Sequence, residues 1–230
     1  MSNKQKTYVG LKKAGLYSYP PYEKGLCGPK ANRNENLSLI LNFIKKPVPT
    51  FEEEERVRKL LLRFPVVCGY YRQLAKLSGT YNIFNETVVG NYWVGGRLLD
   101  KATKKNCNGV LPFHTYHVLF IGSTGNIKFD LAARDLCRIT LAKVVKTQLA
   151  IKKVLVEYRP LAQKNEKIFL NGEIRGEVDW DAERVSQLAP GNFVSLHWGK
   201  IIEVLNHSEA LALKQYTSIA IDIYNSRVAE

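Results

Sequence analysis

The sequence predicts an α+β protein, in which an N-terminal helical domain is followed by a small β-barrel with a terminal helix. Three observations predict this class: helical periodicity at the start, dense strand and turn signals after Cys137, and an amphipathic pattern after Ser208. We therefore divide the chain into a helical domain (residues 1–105), a joining strand region (106–136), and a barrel with its C-terminal helix (137–230).

Helices in the first domain are predicted from apolar residues that recur at three- and four-residue spacing. Pro47 and Pro49 end one of them, because proline lacks the backbone donor and clashes with the preceding turn. Thr50 precedes a run of glutamates and is expected to cap the next helix, where the helix dipole favours carboxylates. Asn85 is expected to cap a helix that continues to Leu99.

Strand signals begin in the joining region, where residues 114–121 are rich in aromatic and β-branched side chains and are followed by Gly122. After Cys137, further strands are predicted at residues 138–147, 152–159, 166–170 and 193–198. Asn171-Gly172 predicts a hairpin turn. Short strands with tight turns indicate one closed, OB-like barrel from Cys137 to Leu205, against which a helix from Ser208 packs.

Composition limits the classes of protein. With 45% hydrophobic and 24% charged residues the chain is an ordinary globular one, and no apolar run is long enough to cross a bilayer. No secretory signal follows the basic start, so we expect a cytoplasmic protein without membrane insertion. The four cysteines form no Cys-x-x-Cys motif, which favours free thiols in a reducing compartment.

The formal net charge of +13 raises nucleic acid as a partner. The lysines are spread thinly in pairs, however, and a run of glutamates interrupts them, so a solvated surface is favoured over a nucleic-acid groove. An RNA-binding barrel remains an alternative. It requires Tyr158, Phe169 and Trp198 to share one exposed face with lysines.

Two segments of the last third carry a resemblance to a known family. The first reads Cys137-Arg-Ile-Thr-Leu-Ala-Lys-Val-Val, and the second runs from Pro190-Gly191 through Val194-Ser-Leu-His197-Trp-Gly to an apolar stretch before Ser208-Glu209. Together they resemble the hydrogenase maturation chaperones of the HypC/HupF type. The whole chain is also similar to an uncharacterised prokaryotic family associated with hydrogenase gene clusters. That similarity rests on the strings Tyr19-Pro20-Pro21, Leu26-Cys27-Gly28-Pro29, Asn91-Tyr92-Trp93-Val94-Gly95, His114-Thr115-Tyr116-His117 and Leu196-His197-Trp198.

The resemblance to the small chaperones implies a role in carrying iron with cyanide and carbon monoxide ligands. It places a thiolate at Cys137 and an imidazole at His197. In the small chaperones the cysteine follows the initiator methionine and has an α-amine beside it, whereas Cys137 is internal. The alternative for each residue is structural, because cysteine and histidine also occur as ordinary buried core residues.

Other donors are candidates for completing such a metal site. His114 and His117 lie three residues apart, so on a strand they would point to opposite faces. Cys27 lies in a loop with glycine on both sides, where the backbone can approach a ligand closely. We expect Cys137 and His197 to lie together at one accessible place, joined by Cys27, His114 or His117.

The resemblance implies a non-enzymatic accessory factor for maturation or assembly of a nickel–iron hydrogenase. Its partner would be the large subunit or an iron-loading scaffold protein. No catalytic residue is assigned. A second class remains open, a thiol or metal-dependent enzyme that pairs Cys27 with His114, His117 or His197.

Overall fold

A computed structural model of the protein describes residues 7–104, 110–120 and 129–228. These residues form two compact units. The N-terminal unit contains residues 7–104 and 110–112, and the C-terminal unit contains residues 113–120 and 129–228. Within these described residues, no helix has both the length and the apolar character that crossing a bilayer requires.

The described part of the N-terminal unit is helical. Its helices are α1 (Thr7–Glu23), α2 (Arg33–Lys45), α3 (Phe51–Leu61), α4 (Pro65–Ser78), α5 (Glu86–Trp93) and α6 (Arg97–Lys104). The predicted cap of α3 is confirmed. Thr50 Oγ1 accepts from the Glu53 backbone at 3.3 Å, and the Glu53 carboxylate accepts from the Thr50 backbone at 2.8 Å. Asn85 caps α5 as predicted, since its side chain accepts from Thr87 N at 2.9 Å.

The helix predicted from Asn85 to Leu99 is wrong in its length, because the chain breaks it into α5 and α6. Gly96 has φ 147°, a backbone conformation that side chains other than glycine rarely adopt. Asn91 at the end of α5 then accepts from Leu98 N at 2.9 Å and so caps α6. Aromatic packing holds this core together, with the Trp93 indole donating to the Tyr71 hydroxyl at 2.6 Å.

The described part of the C-terminal unit combines three α-helices with a closed barrel. Its helices are α7 (His114–Phe120), α8 (Leu131–Cys137) and α9 (His207–Val228). The strands are β1 (Thr140–Gln148), β2 (Lys153–Tyr158), β3 (Leu161–Lys164), β4 (Lys167–Leu170), β5 (Ile174–Asp179), β6 (Phe193–His197) and β7 (Lys200–Leu205). The α+β class, with a helical N-terminal region, a small barrel and a terminal helix, is therefore confirmed.

The barrel closes in the order β1-β2-β5-β7-β6, and β6 returns to pair with β1. The β5–β7 pair is parallel, whereas the other neighbouring pairs are antiparallel. This is the order expected for the predicted OB-like barrel. Valines fill its interior, among them Val154, Val156 and Val194, each fully buried. Strands β3 and β4 form a separate two-stranded sheet inserted between β2 and β5.

The predicted joining strand is wrong, because residues 114–120 form helix α7. Every residue from His114 to Leu119 is buried, so this segment has neither the alternation of a half-buried strand nor the polar face of a surface helix. The aromatic and β-branched residues of this segment favour a strand, but a fully buried segment can be either a helix or a strand. Residues 131–136 of the same region are also helical, as part of α8. Ile121 and Gly122 lie outside the described residues.

The hairpin predicted at Asn171-Gly172 is also wrong. These residues connect β4 to β5, and the two strands belong to different sheets. The nearby hairpin turn is Asn165-Glu166 between β3 and β4, where φ is 48° and 66°. Asn225 of α9 fastens this hairpin, because its side chain accepts from Ile168 N and donates to Ile168 O, each at 2.8 Å.

Candidate metal centre

Cys137 is held in place by the residues on both sides of it. It is the last residue of α8, whose start is capped by Asp130 through Ala133 N at 2.8 Å. Asp135 pairs with the Arg138 guanidinium at 2.8 Å and also accepts from Leu161 N at 2.9 Å. The end of α8 is therefore tied to the start of β3, so that Cys137 has a defined position where α8 meets β1.

Barrel closure brings His197 to the same place. Thr140 of β1 pairs with Leu196 of β6, next to His197 at the end of that strand. The following residue, Trp198, donates its backbone N–H to Leu136 O at 2.8 Å, which joins the β6–β7 turn to α8. Two residues far apart in the sequence thus become neighbours through the strand pairing.

Helix α7 supplies the third donor. His114, its first residue, lies 2.9 Å from the Cys137 carbonyl oxygen through Nε2, and its ring centroid is 5.2 Å from that of His197. One donor atom from each of His114, Cys137 and His197 lies within 4.8 Å of the others. The prediction that Cys137 and His197 lie together is confirmed, and His114 joins them.

The predicted accessibility of this place is wrong. The exposed fractions are 5% for His114, 8% for Cys137 and 0% for His197. The physical reason is that α7 is packed where an open face was expected, with the His114 ring against His197. Because such a group is screened from water, desolvation is the main influence on the pKa values of its side chains.

Burial keeps the Cys137 thiol and the His114 imidazole uncharged. It raises the pKa of the Cys137 thiol to about 12, an effect that the neighbouring Trp198 indole opposes. Burial also lowers the pKa of His114 well below 6.5, and the nearby His197 and His117 lower it further. Because a carbonyl oxygen only accepts, His114 Nε2 carries the proton and donates to Cys137 O.

His117 lies on the same helix but outside the three-donor group. The prediction that His114 and His117 point to opposite faces is wrong, because residues three apart on a helix are neighbours. Their ring centroids are 5.7 Å apart. His117 is 7% exposed, and burial lowers its pKa to about 4.

The remaining cysteines belong elsewhere in the chain. Cys27 is half-buried in the loop after α1 of the N-terminal unit, whereas the three grouped donors all come from the C-terminal unit. That loop is tight: a Cβ atom at Gly28 would lie 2.5 Å from the Phe64 ring. Cys68 is buried in α4 and donates its thiol to Leu61 O at 3.3 Å. Cys107 lies outside the described residues.

Trp198 is a site residue that sequence reasoning missed. It has φ 52° in the two-residue turn between β6 and β7, a left-handed conformation that is costly for a bulky residue. Its indole N–H is buried next to the Cys137 sulfur, and hydrogen bonding from this indole opposes the rise in the pKa of the thiol. The sequence signal was the His-Trp-Gly string, which gave no indication of the backbone conformation.

The two imidazoles and the thiol are donor types that transition-metal ions favour, so this group could hold such an ion. A thiol that loses its proton to a metal, together with neutral imidazoles, suits iron, cobalt, nickel or zinc ions. Three protein donors leave at least one coordination position for another ligand, as in metal sites that act on a bound molecule. The described residues of the C-terminal unit thus combine a small barrel with a buried group of two histidines and one cysteine.

Comparison with known proteins gives one match. A family model described as a family of unknown function, DUF6390, matches residues 6–112 and 102–230. The chain belongs to this family. No curated protein and no solved structure matches it.

Proposed function

We propose that this protein binds one transition-metal ion at His114, Cys137 and His197 and is an accessory factor in the assembly of a nickel–iron hydrogenase. The observation that carries the proposal is the convergence of three donor atoms within 4.8 Å. Two of them, from Cys137 and His197, lie in the two segments that resemble the hydrogenase maturation chaperones.

Iron with cyanide and carbon monoxide ligands is the cargo that this resemblance implies. A thiolate suits a soft iron centre, and the imidazoles complete the protein's share of the coordination. The burial of all three donors supports this choice, because a site screened from water protects a centre that carries labile small ligands. The open coordination positions are where such ligands would bind.

His114 also accounts for one departure from the small chaperones. Cys137 is internal and has no α-amine, so the nitrogen donor beside the thiol must come from elsewhere. His114 provides a nitrogen in that neighbourhood, and its Nε2–H is already held by the Cys137 carbonyl oxygen. Metal-binding histidines characteristically donate their second ring N–H in this way.

The alternatives receive less support from the geometry. The thiol-enzyme alternative pairs Cys27 with a histidine, but Cys27 belongs to the N-terminal unit, whereas His114, His117 and His197 belong to the C-terminal unit. For an RNA-binding barrel, Tyr158 lies on β2, Phe169 on the separate β3–β4 sheet and Trp198 in the β6–β7 turn. Aromatic residues on three such elements are not the continuous row on which successive bases stack.

The test of the proposed role is capture of partners from anaerobic cells that express their hydrogenase, with the full-length protein as bait. We expect to recover the hydrogenase large subunit or an iron-loading scaffold protein. Replacing the native gene with Cys137→Ser should abolish hydrogenase activity, because the thiolate ligand is lost. Cys27→Ser is the matched control and should leave that activity unchanged, since the three donors all lie in the C-terminal unit.

Recovery of nucleic acid alone, with binding that falls steeply as salt rises, would replace this role with the RNA-binding one. Equal hydrogenase activity in the Cys137→Ser and Cys27→Ser strains would contradict it as well. The first result bears on the partner, and the second bears on the metal site.

Trp198→Phe should weaken metal binding about tenfold, because the indole N–H is placed to donate to the metal-bound sulfur. Phenylalanine retains most of the ring packing against Phe129, whose centroid lies 6.0 Å from that of Trp198. With Co²⁺ as the probe, the thiolate-to-cobalt absorption should also shift in energy, a change that a purely structural role would not produce. An unchanged absorption band with unchanged affinity would show that Trp198 does not act on the sulfur.

A further inference from the structure

A second feature of the C-terminal unit is a cleft of about 310 Å³ between the barrel wall and the first turns of α9. Lys143 of β1 and Tyr158 of β2 line one side, and Leu211, Lys214 and Ser218 of α9 line the other. The volume lies within the range of small-molecule sites. None of the three grouped metal donors lines it, so this is a separate site.

The cleft has an apolar part that water contacts. Leu211 is 52% exposed there, and the rings of Tyr158 and Phe193 are only partly buried. Covering such side chains with an apolar ligand group removes hydrocarbon surface from water and is favourable. The occupant should therefore carry an aliphatic or aromatic portion.

The charged groups around the cleft are mainly cationic. Three side chains supply positive charge, namely Lys143, Arg159 and Lys214, against the carboxylates of Glu157 and Glu173. Arg138 also lines the cleft, but its guanidinium is paired with Asp135 at 2.8 Å. The carboxylate of Glu157 is already paired with Arg175 at 3.0 Å. The Arg159 guanidinium donates to the Asn171 and Leu170 carbonyl oxygens, which are neutral acceptors.

We propose that this cleft binds a small amphipathic organic anion, with its carboxylate, sulfonate or phosphate group near Lys143 and Lys214 and its apolar portion against Leu211 and Tyr158. Charge complementarity fixes the sign of the ligand, and the mixed lining requires both of its portions. The proposal does not depend on the metal site or on a hydrogenase partner.

The probe for this site is 8-anilinonaphthalene-1-sulfonate, an aromatic sulfonate whose fluorescence rises in an apolar environment. The full-length native protein should bind it saturably with one site per chain. Hexanoate should displace it, whereas hexylammonium, an amine with the same chain length, should not. Lys214→Glu should weaken binding about tenfold or more, because it replaces attraction by repulsion.

Two further variants distinguish binding in the cleft from non-specific binding and from an effect of net charge. Ser218→Phe places a ring at the cleft and should abolish saturable binding by occupying the site. Lys164→Glu makes the same change of charge on exposed β3, outside the cleft, and should leave the affinity unchanged. Binding that is non-saturable, equally displaced by hexylammonium, or unaffected by both Lys214→Glu and Ser218→Phe would overturn the proposal.

Discussion

Cys137→Ser should weaken Co²⁺ binding by at least about a hundredfold and remove the thiolate-to-cobalt absorption. Loss of residues that only support metal ligands reduces affinity about 10- to 100-fold, so the loss of a direct ligand should exceed that range. Serine has nearly the same shape as cysteine, and its hydroxyl can accept from the Trp198 indole. The fold should therefore be retained while the soft donor is lost.

The measurement is an anaerobic Co²⁺ titration of the metal-free protein, followed by competition with Zn²⁺. His197→Gln and His114→Gln should each lower the affinity without removing the thiolate absorption, because the sulfur remains. Cys27→Ser is the control for thiol content. Thiolate absorption that persists in Cys137→Ser, or that disappears in Cys27→Ser, would show that another cysteine binds the ion.

Acidification of the metal-free protein from pH 6.5 to pH 4 should lower its free energy of unfolding by about 3 kcal/mol through His117 alone. Burial lowers the pKa of His117 from 6.5 in the unfolded chain to about 4 in the folded protein. The unfolded chain therefore binds more protons within this range. Stability is fully present above pH 6.5 and is lost as the pH falls toward 4, and His114 acts in the same direction.

Urea denaturation at a series of pH values measures this effect. His117→Gln should flatten the dependence on pH below 6.5, even if it lowers stability overall. His207→Gln, at an exposed histidine at the start of α9, is the matched control for removal of an imidazole. Parallel profiles for the native protein and His117→Gln would contradict the assignment.

Local features of the sequence were sufficient to predict many of the helices and strands. The capping box at Thr50 and the cap at Asn85 are interactions between residues close in sequence, so the residue types determine them. The helix at residues 114–120 could not be predicted in this way. Its residues are buried on every side, and a local sequence pattern does not distinguish a fully buried helix from a fully buried strand. Asn171-Gly172 does not form the predicted hairpin because β4 pairs with β3, whereas β5 pairs with β2, and a local turn signal carries no information about these partners.

The sequence indicated which residues form the candidate site better than it indicated how those residues are arranged. Cys137 and His197 came from segments resembling a known family, and their proximity follows from the β1–β6 pairing. The contact of His114 with the Cys137 carbonyl oxygen depends on α7 being a helix, which the sequence did not predict. The position of the Trp198 indole depends on a left-handed backbone conformation that most non-glycine residues avoid.

The pairing that closes the barrel would also determine when the proposed metal ion could be bound. Cys137 precedes β1 and His197 ends β6, so every barrel strand except β7 lies between or includes them. While the chain is emerging from the ribosome, the sulfur and the His197 imidazole therefore belong to separate, mobile stretches of polypeptide. An ion that needs both donors cannot be captured by the nascent chain and must be loaded after synthesis has passed β6. Metal occupancy would thus report that the barrel has closed rather than help to start its folding.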